Sequence, residues 1–343
     1  MASPKKPDFF IVGAPKCGTT ALNHYLAAHP DIFMAKKETH FFGADLRFGP
    51  QLQYYRRYPN EYSAEFAAWS GQARGGETSV WYLFSQKAAE EIKAYNPDAR
   101  IIIMLREPVA MLYSLYCQFV ADGNEHLPTF KDALAAEAER QAGRRLNRQT
   151  YFAQALVYRA TARFSEQVKR YFDVFGRERV HVVIYDDFSA RTADVYRQAL
   201  NFLGVAPGPV DREFEVINGN VNGNHSVKSS AMRAILNDPF VRRTAINLHA
   251  WLPRGIFTTI KNAGLKLNEL NFNNKPRKRQ QMEPELQYSL SREFAPEIDR
   301  LSQLLGRDLT EWSRSGRDPQ STDGLSPIEE NERVLSGPGL EVA

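Results

Sequence analysis

The chain has 343 residues, of which 43% are hydrophobic and 24% charged, and a formal net charge of +4. That length suits a folded globular protein with a sizeable core, as one large domain or two small ones. The mild positive charge permits an anionic ligand without demanding nucleic acid. Two isolated cysteines, Cys17 and Cys117, exclude a disulfide framework, and the seven histidines show no metal-ligand spacing, so no metal site is expected. No apolar run approaches ~18 residues, which excludes a membrane-spanning helix. The first strand begins by Phe9, which leaves no room for a signal peptide, and a cytoplasmic location is the expectation.

Phe9, Phe10, Ile11 and Val12 form a continuous apolar run stopped by Gly13, the pattern of a strand buried on both faces of a parallel sheet. After the loop to Gly18, apolar groups at Ala21, Leu22, Tyr25 and Leu26 have helical spacing. A strand, a glycine-bounded loop with a lysine and a helix start make an anion site of backbone N–H groups and helix dipole. Gly13 and Gly18 stand at the separation of the triphosphate loop GxxxxGK[ST], and Thr20 matches its final hydroxyl. Thr19, however, holds the lysine position, and Lys16 lies two residues before Gly18. The cradle is kept while the cation is moved, which suits a phosphate-type ligand with a different leaving group. A buried strand and a tight turn with an incidental lysine would account for the same residues.

His29-Pro30-Asp31 ends the first helix. Ala35-Lys36-Lys37-Glu38-Thr39-His40 then packs two cations, a carboxylate and an imidazole before Phe41 and Phe42, a pattern equally open to a solvated loop followed by two core phenylalanines. The aromatic and basic stretch over 50–70 is expected to be a surface excursion. Residues 75–83 give a short strand and its exit, and Ser85 can cap a helix carrying Ala88, Ala89, Ile92 and Tyr95. Ile101 to Leu105 is a buried strand, and Pro108 starts a helix whose face holds Val109, Leu112, Leu115, Tyr116 and Phe119. Arg106 stands at the carboxyl end of that strand, where ligands bind in open parallel sheets, and Ser114 lies near the second helical turn.

Residues 129–175 read as helices, with an amphipathic stripe of Val157, Ala160, Phe164, Val168, Tyr171 and Phe175. Val180 to Tyr185 reads as a strand and Ala193 to Leu203 as a helix ended by Gly204. From Pro207 to Asn224 the composition predicts a long loop. The polar, basic segment Asn271 to Arg279 suits a localisation or nucleic-acid patch, or a loop closing over an anion. A final helical region, interrupted or restarted at Pro296, ends at Gly306, and disorder is expected after about Ser315.

Four of these stretches resemble sulfotransferases that use 3′-phosphoadenosine 5′-phosphosulfate (PAPS). VGAPKCGTTAL is similar to their 5′-phosphosulfate loop, and LREPVAMLYSLY to their 3′-phosphate segment, a strand-end arginine followed eight residues on by serine. KETHFF resembles a stretch of the heparan-sulfate-type branch, and FAPEIDRLSQLLGRDLTEW the closing segment of bacterial members. The resemblance runs over roughly residues 8–313 and implies an α/β fold with a P-loop-like central parallel sheet flanked by helices in three layers. One domain over 1–313 with a disordered tail over 314–343 is the expected organisation.

The resemblance implies that Lys16, with the backbone of Pro15, Cys17, Gly18, Thr19 and Thr20, holds the 5′-phosphate and neutralises the leaving oxygen. It implies that Arg106 and Ser114 hold the 3′-phosphate, that Glu38 is the general base, and that His40 orients it or replaces it. Lys278 and Arg279 are candidates to cover the nucleotide. The expected acceptor is a hydroxyl of a glycan, lipid or small metabolite, with neither metal nor nucleic acid required. The heparan-type pattern has an acidic residue where Gly43 stands, a lysine at Thr78 and often an arginine at Met111, so its acceptor is in doubt here. A P-loop nucleotide kinase or NTPase is the alternative, and a non-enzymatic nucleic-acid binder is a third.

Overall fold

The computed structural model describes residues 5–36, 38–49, 58–207, 225–227, 272–276 and 282–314. These fall into two compact units divided after Gln281. In the first unit, β1 (Phe9–Gly13) is buried at every residue, as its unbroken apolar run requires. It lies at the centre of a five-stranded parallel sheet in the order β2-β3-β1-β4-β5. The other strands are β2 (Ile32–Met34), β3 (Arg74–Thr78), β4 (Arg100–Leu105) and β5 (Val180–Ile184). The expected parallel sheet is therefore present, and helices flank it.

Strand β3, RGGET, has little strand propensity of its own and is placed by its neighbours. A Cβ built on Gly76 would lie 2.2 Å from the ring of Phe9, and one on Gly75 would lie 2.4 Å from Trp69. The two glycines let aromatic rings lie flat on the sheet where a side chain would otherwise stand.

Between the strands run α1 (Thr19–Ala27), α2 (Pro59–Ala64), α3 (Ala88–Tyr95), α4 (Pro108–Asp122), α5 (Phe130–Ala135), α6 (Glu137–Gln141), α7 (Tyr158–Thr161) and α8 (Phe164–Phe175). After β5 come α9 (Tyr185–Ala190) and α10 (Thr192–Leu203). Ser85 lies two residues before Lys87, the N-cap of α3, and its Oγ accepts from Lys87 N and Ala88 N at 3.0 and 2.9 Å. Gly204 ends α10 in the left-handed conformation, and Arg74 and Arg100 donate to the carbonyls of Leu203 and Phe202 in its last turn. The stripe Phe164, Val168, Tyr171 and Phe175 is the buried face of α8, while Val157 precedes α7.

Three expectations are corrected. The 50–70 stretch is no surface excursion in its described part, because Tyr62, Phe66 and Trp69 are buried. Tyr62 is drawn inward by stacking on Phe41 and by a hydrogen bond to Glu77. The segment around Asn271–Arg279 contains β7 (Phe272–Pro276), which pairs antiparallel with β6 (His225–Val227), so backbone pairing overrides its polar composition. In the second unit, α11 (Pro284–Leu305) runs through Pro296 without a break, and α12 (Glu311–Arg314) follows. Residues 50–57, most of the 207–224 loop, Lys278, Arg279 and the tail after 314 lie outside the described residues.

Candidate active site

Strands β2 and β3 lie on one side of β1, and β4 and β5 on the other. The carboxyl ends of β1 and β4 thus border the switch point where ligands bind in open α/β sheets. The loop after β1 holds Lys16 at φ 63° and Gly18 at φ 89°, and α1 begins at Thr19 with no side-chain cap. The first helical bonds run from Ala21 N and Leu22 N to Gly18 O at 3.0 and 3.2 Å, so the N–H groups of Thr19 and Thr20 lie ahead of them at the positive end of the dipole. The Lys16 Nζ donates to Gln118 Oε1 on α4 at 2.8 Å. Thr19 is buried and Thr20 exposed. Burial pushes the Cys17 thiol up to about 12, so at neutral pH it is a protonated core group and not a nucleophile.

Arg106 follows β4, and its guanidinium carbon lies 4.6 Å from the centroid of Tyr185. A Cβ on Gly18 would lie 3.0 Å from that same ring. The ends of β1, β4 and β5 therefore meet around Tyr185, which holds Arg106 by its π face beside the glycine turn. Sequence reasoning passed over Tyr185; the available signal was an aromatic residue at the carboxyl end of a buried strand. Glu107 caps α4, accepting from Val109 N and Ala110 N at 2.9 and 2.6 Å. Ser114 sits in the second turn of α4 and is buried.

On the other side of β1, the chain after β2 continues along β3. Ala35 N donates to Gly76 O, and Glu38 N to Thr78 O. The step from Ala35 to Glu38 is three residues where the step along β3 is two, so the strap leaves the strand register. Glu38 and His40 take φ of 64° and 48°. Alternate residues of the strap are thus turned into the left-handed region. The two side chains nevertheless meet, with His40 Nε2 3.4 Å from Glu38 Oε2. Glu38 Oε2 also accepts from Val80 N at 3.1 Å, and the His40 ring packs on Phe48 with centroids 4.7 Å apart. The reading of a solvated loop followed by core phenylalanines holds in part: Phe42 is core and Glu38 keeps 27% side-chain exposure, but Thr39 and His40 are buried.

Behind the strap lies a group that the sequence did not single out. Glu77 of β3 is fully buried, with Oε1 accepting from Thr39, Ser79 and Tyr82 and Oε2 from Tyr62. Burial raises its carboxyl above the ordinary carboxylate value, although all four hydroxyls pull it down. The positions that depart from the heparan-type pattern are accounted for locally. Thr78 is buried and donates to Asn23 at 2.7 Å, Met111 is core, and the Gly43 N–H donates to Glu91 at 2.6 Å. Among the described residues no group of His, Cys, Asp and Glu is placed to hold a metal ion, and no helix is long and apolar enough to cross a membrane.

The sulfotransferase family model matches residues 7–207, more than half of the chain and the whole of the five-stranded sheet. This chain belongs to the sulfotransferase family. The crystal structure of a sulfotransferase from Alicyclobacillus acidocaldarius is similar, with a TM-score of 0.64 and 31% identity, covering 90% of this chain and 99% of that one. Heparan sulfate glucosamine 3-O-sulfotransferase 5 of Homo sapiens is 27% identical over 204 residues, 59% of this chain and 54% of that protein. Carbohydrate sulfotransferase 15 of Mus musculus is 27% identical over 254 residues, covering 59% of this chain and 44% of that protein. The chain spans about half the length of these curated relatives. The sulfotransferase assignment read from the motifs is thereby upheld at the level of family and fold.

Proposed function

We propose that this sulfotransferase moves a sulfuryl group from PAPS to a hydroxyl of a carbohydrate, lipid or small-molecule acceptor. The observation that carries the reading is the distribution of backbone strain. Four non-glycine residues among those described have positive φ: Lys16, Glu38, His40 and Arg145. Such conformations cost about 1–3 kcal/mol each and persist where the surroundings over-determine them. Three of the four are the residues that the family resemblance gives a chemical role.

In this reading Lys16 and the start of α1 hold the 5′-phosphate. Arg106, fixed against Tyr185, and Ser114 hold the 3′-phosphate, which separates this donor from a plain adenylate. Glu38 removes the acceptor proton as the acceptor oxygen bonds to sulfur. The bond from sulfur to the phosphate oxygen breaks in line, and Lys16 offsets the charge left on that oxygen. His40, 3.4 Å from the carboxylate, orients it. Family membership and the displaced Lys16 favour this over a nucleotide kinase.

Transfer of label from PAPS to a panel of sugars, lipids and metabolites tests the activity and names the acceptor. Adenosine 3′,5′-bisphosphate at one hundred times its Kd should stabilise the protein by about 2.7 kcal/mol. The same concentration of 5′-AMP should raise Tm far less. Equal shifts from the two ligands would remove the 3′-phosphate assignment.

A further inference from the structure

We propose that Glu77 is a positioning residue, whose buried carboxylate sets the direction of the hydroxyls that hold the Glu38–His40 strap in its left-handed conformation. The inference rests on the function proposed above and extends it to a residue behind the reacting groups.

An ionised carboxylate only accepts hydrogen bonds, whereas a hydroxyl has one proton to give and lone pairs to receive. Thr39 Oγ1, Ser79 Oγ and Tyr82 OH point their protons at Glu77 Oε1, at 2.5, 2.8 and 2.8 Å. Tyr62 OH gives its proton to Oε2 at 2.5 Å. With their protons committed inward, Ser79 and Tyr82 present only lone pairs to the strap. Ser79 Oγ accepts from His40 N at 3.1 Å, and Tyr82 OH from Phe42 N at 3.2 Å. Glu38 N is held by Thr78 O at 2.8 Å. The N–H groups of residues 38, 40 and 42 are thus docked in succession on the exit of β3, and two of the three depend on hydroxyls oriented by Glu77.

The arrangement is costly in itself. A carboxylate with no exposed surface carries a desolvation penalty of several kcal/mol, only partly offset by its hydroxyl donors. What it holds is also strained, since Glu38 and His40 sit where L-residues are rarely found. A neutral amide at position 77 would bring its own N–H donors, and at least one hydroxyl would have to turn its proton outward toward a strap N–H. The order of donors and acceptors would fail at Ser79 or Tyr82, and the strap would relax toward ordinary backbone geometry.

Three variants and two readouts test this. Glu77→Gln reverses donor order at the hub, Ser79→Ala removes the link to His40 N, and Tyr62→Phe removes a hydroxyl that donates to Glu77 while keeping the ring stacked on Phe41. Steady-state kinetics with PAPS give kcat and KM, and NMR of the His40 ring reports the strap without relying on turnover. For Glu77→Gln and Ser79→Ala we expect kcat to fall about 10²-fold, as for a misplacement near 1 Å, with the KM for PAPS and the thermal shift by adenosine 3′,5′-bisphosphate unchanged. Their His40 resonances should move, while Tyr62→Phe keeps both kcat and the resonances. Should Glu77→Gln fail to fold, Ser79→Ala decides the matter. Wild-type kcat and an unmoved His40 ring in Ser79→Ala would overturn the proposal. A wild-type protein that transfers no sulfuryl group would overturn the proposed function instead, and the His40 ring in Ser79→Ala would still decide whether the network positions the strap.

Discussion

Replacing Glu38 with glutamine separates basicity from shape. The amide oxygen of the new side chain can accept from Val80 N as Glu38 Oε2 does at 3.1 Å, and the side-chain length and backbone φ of 64° stay the same. That same oxygen position lies 3.4 Å from His40 Nε2, so the ring keeps an oxygen neighbour while the amide nitrogen takes the place of Oε1. What is lost is the ability to take a proton from the acceptor hydroxyl. General-base assistance is worth about 10²–10⁴ in rate. At 1.36 kcal/mol per tenfold, that is a barrier rise of about 2.7–5.4 kcal/mol. The proposed donor contacts are Lys16, Arg106 and Ser114 and do not include Glu38, so the thermal shift by adenosine 3′,5′-bisphosphate should be unaltered. The assay pairs kcat from labelled PAPS with that shift. A loss of kcat well under tenfold, with the shift intact, would refute Glu38 as base and move the role to His40. A lost thermal shift would show that Glu38 belongs to the donor site instead.

Other outcomes follow from individual contacts. Lys16→Gly should abolish stabilisation by adenosine 3′,5′-bisphosphate yet leave the unliganded Tm close to wild type. Relief of a left-handed lysine, about 1–2 kcal/mol, offsets the lost bond to Gln118; differential scanning calorimetry with and without ligand reads both. Gly76→Ala should destabilise by about 1–3 kcal/mol or more in urea unfolding, because its Cβ would meet Phe9 at 2.2 Å. Arg140→Met should cost about 3–5 kcal/mol by leaving Glu125 buried without its guanidinium, which now lies at 2.6 Å with both side chains fully buried. Burial alone would raise the Glu125 carboxyl, but Arg140, Leu127 N and Tyr158 together bring it below its ordinary value. A lowered folded value means stability that is present above the ordinary carboxylate value, about 4.3, and is lost as pH falls through the folded one. Denaturant titrations should therefore show an acid-side loss of stability that is reduced in Glu125→Gln.

The elements of the proposed donor half were legible because their signals are local. A buried strand, Gly18 at positive φ and a helix start are neighbours in the chain, so the spacing of FFIVGAPKCGTT fixes their geometry. Arg106 and Ser114 were legible for the same reason, lying on one strand–helix unit. Tyr185 was not, because it reaches Arg106 and Gly18 only through the pairing of β5 with β4. Glu77 was hidden more deeply. In sequence it is a carboxylate after two glycines in a short strand, with nothing local to mark it as buried. Its burial follows only when Thr39, Tyr62 and Tyr82 arrive from three separate segments. The shape of the strap was not legible, because periodicity describes regular structure, and positive φ at Glu38 and His40 leaves no trace in residue type.

The two halves of the site meet different mechanical demands, and the fold meets them differently. In the proposed reading the donor presents fixed charges, and the protein answers with backbone N–H groups, a lysine and an arginine borne on the ends of strands and helices that the sheet already holds. In the same reading the acceptor side needs a carboxylate kept partly exposed, and Glu38 keeps 27% of its side chain exposed. Glu38 stands on an irregular strap, at φ 64°. An irregular strap needs acceptors for its N–H groups, and hydroxyls supply them well only when their protons are already committed. A buried carboxylate is the group that commits them. The strained base and the buried Glu77 are therefore one requirement seen from its two ends. Substitutions that loosen the hydroxyl network should lower the turnover rate before they lower the affinity for the donor.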